Sequence, residues 1–133
     1  MPIRVLVVDD NPTNLKLAAD VLRFDGYDVA TAADAADAIT AIEARQPDLI
    51  LMDVQMPRID GLTLTRRLKA EAATKDIVIV ALTSSAMLGD EEKARQAGCD
   101  GYITKPIDSR RLGEQVAEAW TAAKGRPPEG PAA

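Results

Sequence analysis

Three short apolar runs, Ile3 to Val8, Leu49 to Met52 and Ile77 to Leu82, constrain this chain more than any other feature. They are rich in β-branched residues, are bounded by turn formers, and lack the strict apolar–polar alternation of a half-exposed strand. Runs of this kind suit strands covered on both faces, as in a parallel sheet, and the stretches between them are long enough for crossover helices. Tyr102-Ile103 reads as a shorter strand and Asp28 to Thr31 as a weaker one. The resulting order is a βα unit repeated five times, an open α/β fold.

The intervening segments carry helix signals. Asn11 reads as an N-cap with Pro12 at the first helical position, where the missing N–H is harmless, and Gly26 ends that helix. Its apolar stripe is Leu15, Ala18 and Leu22. A second helix is expected from about Asp34 to Arg45 before Pro47, with Ile39 and Ile42 inward, and a third from Gly61 to Ala70 with Leu64 and Leu68 inward. Asp90, Glu91 and Glu92 place negative charge near the positive end of a fourth, which Gly98 stops. The fifth spans about Ser109 to Ala123, with Leu112, Val116, Ala119 and Ala123 at helical spacing and Trp120 at their margin.

Composition excludes several function classes. The chain has 133 residues, 47% of them apolar and 28% charged, which is the balance of one globular domain. No apolar run is long enough to span a bilayer and no targeting peptide is recognisable, so a cytoplasmic protein without membrane attachment is expected. Lys plus Arg number 16 against 21 Asp plus Glu, a net charge of −5, which argues against direct nucleic-acid binding. The single cysteine, Cys99, permits no internal disulfide, and the absence of histidine removes imidazole from any catalytic or zinc site. The segment from Lys124 onward lacks periodicity and holds three of the eight prolines. It reads as a disordered tail, 124–133, after a domain of residues 1–123.

Polar residues recur at one end of the strands: Asp9 and Asp10 after the first, Asp53 after the third, Thr83 after the fourth and Lys105 after the fifth. Open α/β sheets bind ligands outside the carboxyl ends of their strands. If the strands are ordered 2-1-3-4-5, the tips of strands 1, 3, 4 and 5 converge. Three carboxylates brought together repel, each pair by roughly 4 kcal/mol at about 4 Å and an effective dielectric near 20. A cation must then sit among them, and oxygen ligands without nitrogen or sulfur select Mg²⁺ or a similar ion. Lys105 adds a second positive charge and Thr83 a hydroxyl donor, so the set describes a phosphoryl site with Asp53 as nucleophile.

Four blocks, V-V-D-D-N at 7 to 11, L-M-D-V-Q-M-P at 51 to 57, A-L-T-S-S at 81 to 85 and Y-I-T-K-P at 102 to 106, carry a joint resemblance. The chain resembles a response-regulator receiver domain of two-component signalling over about residues 3 to 123. N-P-T-N-L-K-L at 11 to 17, A-M-L-G-D-E-E at 86 to 92 and A-G-C-D-G-Y at 97 to 102 are further similar to stand-alone cell-division regulators and to receivers of hybrid kinases. The resemblance implies a flavodoxin-like (βα)5 fold, doubly wound, with a five-stranded parallel sheet of order 2-1-3-4-5.

It also implies roles. Asp53 corresponds to the phosphoacceptor, which attacks the phosphohistidine of a histidine kinase or histidine phosphotransfer protein. Asp10 corresponds to a direct Mg²⁺ ligand beside Asp53, Asp9 to a ligand acting mainly through a metal-bound water, and Gln55 to a ligand through its backbone carbonyl. Thr83 and Lys105 match the pair that contacts phosphoryl oxygens, Tyr102 matches the switch aromatic, and Lys105-Pro106 matches a peptide bond often cis in this family. A downstream protein target is expected to read the surface of the fourth helix, fifth strand and fifth helix, with the protein a monomer or a phosphorylation-dependent dimer. Such a module is not a conventional enzyme, although it catalyses its own phosphotransfer and autodephosphorylation.

Three other readings compete. A haloacid-dehalogenase-type phosphatase needs a second acid two residues after its nucleophile, where this chain has Gln55. A flavodoxin-like electron carrier needs a phosphate-cradling first loop, and Asp9-Asp10 would repel a phosphate there. The chain could also be the receiver half of a larger DNA-binding regulator.

Overall fold

A computed structural model describes residues 3–54, 61–83 and 90–126. The elements follow in strict alternation: β1 (Arg4–Val8), α1 (Pro12–Phe24), β2 (Asp28–Ala32), α2 (Ala35–Ala44), β3 (Leu49–Asp53), α3 (Gly61–Ala70), β4 (Val78–Thr83), α4 (Asp90–Ala97), β5 (Gly101–Thr104) and α5 (Leu112–Lys124). The five strands form one parallel sheet ordered β2-β1-β3-β4-β5. The βα alternation is the one read from the residues, and the strand order is the flavodoxin-like one that the resemblance implies.

Burial on both faces explains the unalternating strands. β1, β3 and β4 are buried along their whole length. Alternate residues feed two separate cores. Leu6, Val8, Ile50, Met52, Ile79 and Ala81 pack with Ala38, Ile42, Leu64, Leu68 and Ala94 of α2, α3 and α4. Val5, Val7, Leu49, Leu51, Val80 and Leu82 pack with Ala18, Leu22, Leu112, Val116 and Trp120 of α1 and α5. Each fully buried Leu, Ile or Val contributes roughly 2 kcal/mol of transfer free energy, so these layers dominate the stability. β2 gives a weaker sequence signal because it is an edge strand, with only Ala32 fully buried.

The helix ends follow their capping residues. The Asn11 side chain accepts from the N–H groups of Thr13 and Asn14 at 3.0 and 3.1 Å, with Pro12 next. Such a cap contributes about 1 kcal/mol. Gly26 and Gly98 adopt φ of 97° and 107°, a conformation glycine alone adopts cheaply. In α2 Ala35, Ala38 and Ile42 are buried, and Ile39, half-buried, packs against the same core. One expectation needs correction. In α5 Ala123 is exposed although it falls on the same helical face as Leu112 and Val116, because burial along the helix ends at Trp120, which is 6% exposed. That helix reaches Lys124, one residue into the segment expected to be a tail. Residues 127–133 of that segment lie outside the described residues.

At the rim opposite the carboxyl ends of the strands, Lys69 ties three segments together. Its ammonium donates to the carbonyls of Lys75 and Ile77 at 3.2 and 2.7 Å and to Asp100 Oδ2 at 2.8 Å. Asp100 Oδ2 also accepts from the Ile79 N–H at 3.0 Å, which aligns the starts of β4 and β5. Beside it Cys99 is buried, and desolvation pushes its thiol up to about 11 despite a hydrogen bond with Thr65. The folded protein therefore keeps this proton where the unfolded chain, with an ordinary value near 9, releases it. The associated stability is present below pH 9 and is lost as pH rises from there toward about 11. Urea midpoints measured across that range are expected to fall less steeply in Cys99→Ala than in the wild-type protein, and parallel slopes would contradict the thiol's part in the loss.

Candidate phosphoryl-transfer site

The candidate residues meet because of sheet order and register. β1 and β3 are neighbours, so Asp9 and Asp10, which follow Val8, emerge next to Asp53 at the end of β3. Asp53 pairs with Leu82 of β4, and the Val54 N–H donates to the Leu82 carbonyl at 3.1 Å, which places Thr83 one residue beyond on the adjoining strand. Thr83 pairs in turn with Thr104 of β5, and its carbonyl accepts from the Lys105 N–H at 2.6 Å. Lys105 is thus delivered to the same rim by the last ladder of the sheet, and its bond to Pro106 is cis.

One oxygen of each of Asp9, Asp10 and Asp53 lies within 4.8 Å of the others. Asp9 is 1% exposed and Asp53 2%, whereas Asp10 faces solvent. Lys105 Nζ stands 3.1 Å from Asp9 Oδ2 and 3.5 Å from Asp53 Oδ1, and its own side chain is only 13% exposed. One ammonium therefore faces two buried carboxylates, and the three acids carry more negative charge than it balances. Asp9 is oriented by the N–H of Asn11, which donates to Oδ1 at 2.9 Å. Among the described residues Asp9 Oδ2 has no hydrogen-bond donor, since its approach to Lys105 has the distance but not the direction of one. A buried carboxylate oxygen without a donor among the described residues, beside Asp53 and the exposed Asp10, fits a divalent cation held by hard oxygen ligands.

The structure thus brings Asp9, Asp10, Asp53 and Lys105 into one cluster and sets Thr83, 3% exposed, beside it by register. Tyr102 is opposite Ala81 in the ladder and packs, partly buried, against the core beneath α2, α3 and α4. Gln55 lies outside the described residues. Sequence reasoning missed the backbone of Asn11 as the group that orients Asp9. Its side chain was recognised as a cap, but a main-chain donor leaves no mark on residue identity.

Comparison with known proteins agrees with this arrangement. The family model described as the response regulator receiver domain matches residues 5–117. The polar-differentiation response regulator DivK of Brucella anthropi is 40% identical over 116 residues, covering 87% of this chain and 94% of that protein. DivK of Brucella ovis is 40% identical over 112 residues, covering 84% and 91%. Among solved structures, a putative response regulator from Chloroflexus aurantiacus superposes with a TM-score of 0.85 at 32% identity, covering 91% of this chain and 99% of its own. The chemotaxis response regulator CheY4 of Vibrio cholerae gives 0.84 at 25% identity, covering 90% and 99%. A parallel sheet whose strand tips gather three acids and a lysine, matched over most of its length by receivers of known sequence and structure, places this chain in the response regulator receiver family of two-component signalling.

Proposed function

We propose that Asp53 is the phosphoacceptor, and that the chain takes a phosphoryl group from a histidine kinase or histidine phosphotransfer protein in the cytoplasm. The supporting observation is the placement of a buried Asp53 within 4.8 Å of Asp9 and Asp10 and 3.5 Å from the ammonium of Lys105. An Asp53 carboxylate oxygen attacks the phosphorus, the P–N bond to the donor's imidazole breaks, and the imidazole leaves with the electron pair. Lys105 compensates the charge that gathers on the transferred oxygens, at no reorganisation cost because it already stands in place. Thr83 offers its hydroxyl to one of those oxygens. Asp9, Asp10, Asp53 and the carbonyl of Gln55 would hold Mg²⁺. When bound, that ion supplies further neutralisation and orients the incoming group. The acyl phosphate so formed is hydrolysed by water, which resets the protein.

The resemblance to receivers implies a switch as well. Movement of Thr83 toward the phosphoryl group lets Tyr102 turn inward, so the surface of α4, β5 and α5 alters its affinity for a downstream protein. Residues 1–123 act as the receiver in this scheme, together with Lys124, on which α5 ends. The net charge of −5 fits a protein target rather than nucleic acid. Among the described residues no helix is long and apolar enough to cross a membrane. The deciding experiment is intact-protein mass spectrometry after incubation with acetyl phosphate, with and without Mg²⁺. One phosphoryl increment that depends on Mg²⁺ and is released by hydroxylamine is the expected result, and an unmodified chain would refute the proposal.

A further inference from the structure

Residue 61 opens α3 and is buried against the end of β3. A Cβ built there would overlap the carbonyl oxygen of Asp53 and lie 2.8 Å from Met52 Cγ and 2.9 Å from Val54 Cα. Two of these three obstacles are backbone atoms of the phosphoacceptor and its neighbour, so no rotamer change relieves them. The first turn of α3 therefore rests directly on the main chain that carries Asp53, at a separation only a residue without a side chain permits.

Neither partner in this contact is free to withdraw. β3 is central, with Met52 paired to Val8 on one side and Asp53 to Leu82 on the other. α3 is anchored by Leu64 and Leu68, 1% and 5% exposed, and by the wholly buried Thr65, whose hydroxyl donates to the Gly61 carbonyl at 2.8 Å. An added methyl group must be accommodated by both, including the end of β3. The Asp53 carboxylate stands 3.5 Å from Lys105 at the tip of that strand. Displacement of a reacting group by about 1 Å lowers rates by about a hundredfold.

The geometry points to Gly61 as a positioning residue for phosphoryl transfer: α3 is seated on the Asp53 carbonyl through Gly61, with Thr65 pinning the seat, and this contact sets where the Asp53 carboxylate stands relative to Asp9 and Lys105. The inference rests on Asp53 being the phosphoacceptor. It assigns a function in the reaction to the first turn of α3.

The test measures acyl-phosphate formation on the full chain across a range of acetyl phosphate concentrations at fixed Mg²⁺, with thermal midpoints recorded in parallel. Gly61→Ala is expected to lower the rate at saturating donor by about tenfold or more, with the half-saturating concentration unchanged within about twofold, because geometry and not donor binding is affected. Thr65→Val keeps the volume but loses the hydroxyl donor, and is expected to be roughly threefold slower at saturation, whereas Thr65→Ser restores the wild-type rate. A folded Gly61→Ala protein as fast as wild type would overturn the inference. Should Gly61→Ala not fold, a wild-type rate in Thr65→Val, or equal slowing in Thr65→Val and Thr65→Ser, would overturn it. A wild-type chain that accepts no phosphoryl group removes the Asp53 reading and this inference together, whereas a modified wild type with an equally fast Gly61→Ala removes this one alone.

Discussion

Replacing Asp53 by Asn is expected to abolish the phosphoryl increment that acetyl phosphate and Mg²⁺ give the wild-type chain. The amide matches the carboxylate in shape but is a far poorer nucleophile, so the strand end and its neighbours can stay in place while the chemistry is lost. The same substitution removes one of three mutually repelling charges, two of them on residues no more than 2% exposed. Asp53→Asn should therefore be at least as stable as wild type in metal-free buffer, with a gain on the order of 1 kcal/mol at an effective dielectric well above that of a dry interior. Loss of phosphorylation with gain of stability separates a functional carboxylate from a structural one. Undiminished acyl phosphate in the variant would show that another residue carries the group.

Lys105→Ala tests the cation in the cluster. Lys105 Nζ is 3.1 Å from Asp9 Oδ2 and 3.5 Å from Asp53 Oδ1, and both acids are nearly sealed from water. Removing one partner from such an arrangement leaves buried charge uncompensated, which commonly costs about 3 kcal/mol. Denaturation in chelator should show a loss of that order, and millimolar Mg²⁺ should recover part of it by ligand linkage. The second readout is function. With the ammonium gone, phosphorylation should no longer change affinity for the downstream partner even where some acyl phosphate forms, because the direct contact between the phosphoryl oxygens and the end of β5 is lost and Thr83 acts alone. A variant as stable as wild type in chelator would show that Lys105 is not what balances Asp9 and Asp53.

The residues of this site were legible because each lies at a strand end, where an apolar run stops at a polar side chain. Asp9, Asp53 and Thr83 are each 3% exposed or less, and hydrophobicity alone would not select them there. Their spacing was not legible. It depends on the pairing of Asp53 with Leu82 and of Thr83 with Thr104, which are properties of register. The helices divide in the same way. α1 was readable because Asn11, Pro12 and Gly26 act locally. The extent of burial along α5 was not legible, because Ala123 falls on the same helical face as Leu112 and Val116 and only tertiary packing decides that the buried stretch ends at Trp120. Gly61 was readable as a helix start, but a glycine retained for close approach looks the same in sequence as one retained for a turn.

The lone tryptophan has a practical consequence. Trp120 lines a shallow cavity with Gln46, Pro47, Asp48, Asp76 and Ile77, beyond the amino ends of β3 and β4, with the Lys124 ammonium 5.6 Å and the Arg126 guanidinium 5.9 Å from its ring centre. The carboxylate cluster occupies the other end of the same strands. Intrinsic emission from this fluorophore will therefore report loss of the fold and remain nearly silent when a metal ion titrates in. A spectroscopic assay of activation needs a second probe introduced on the other side of the sheet.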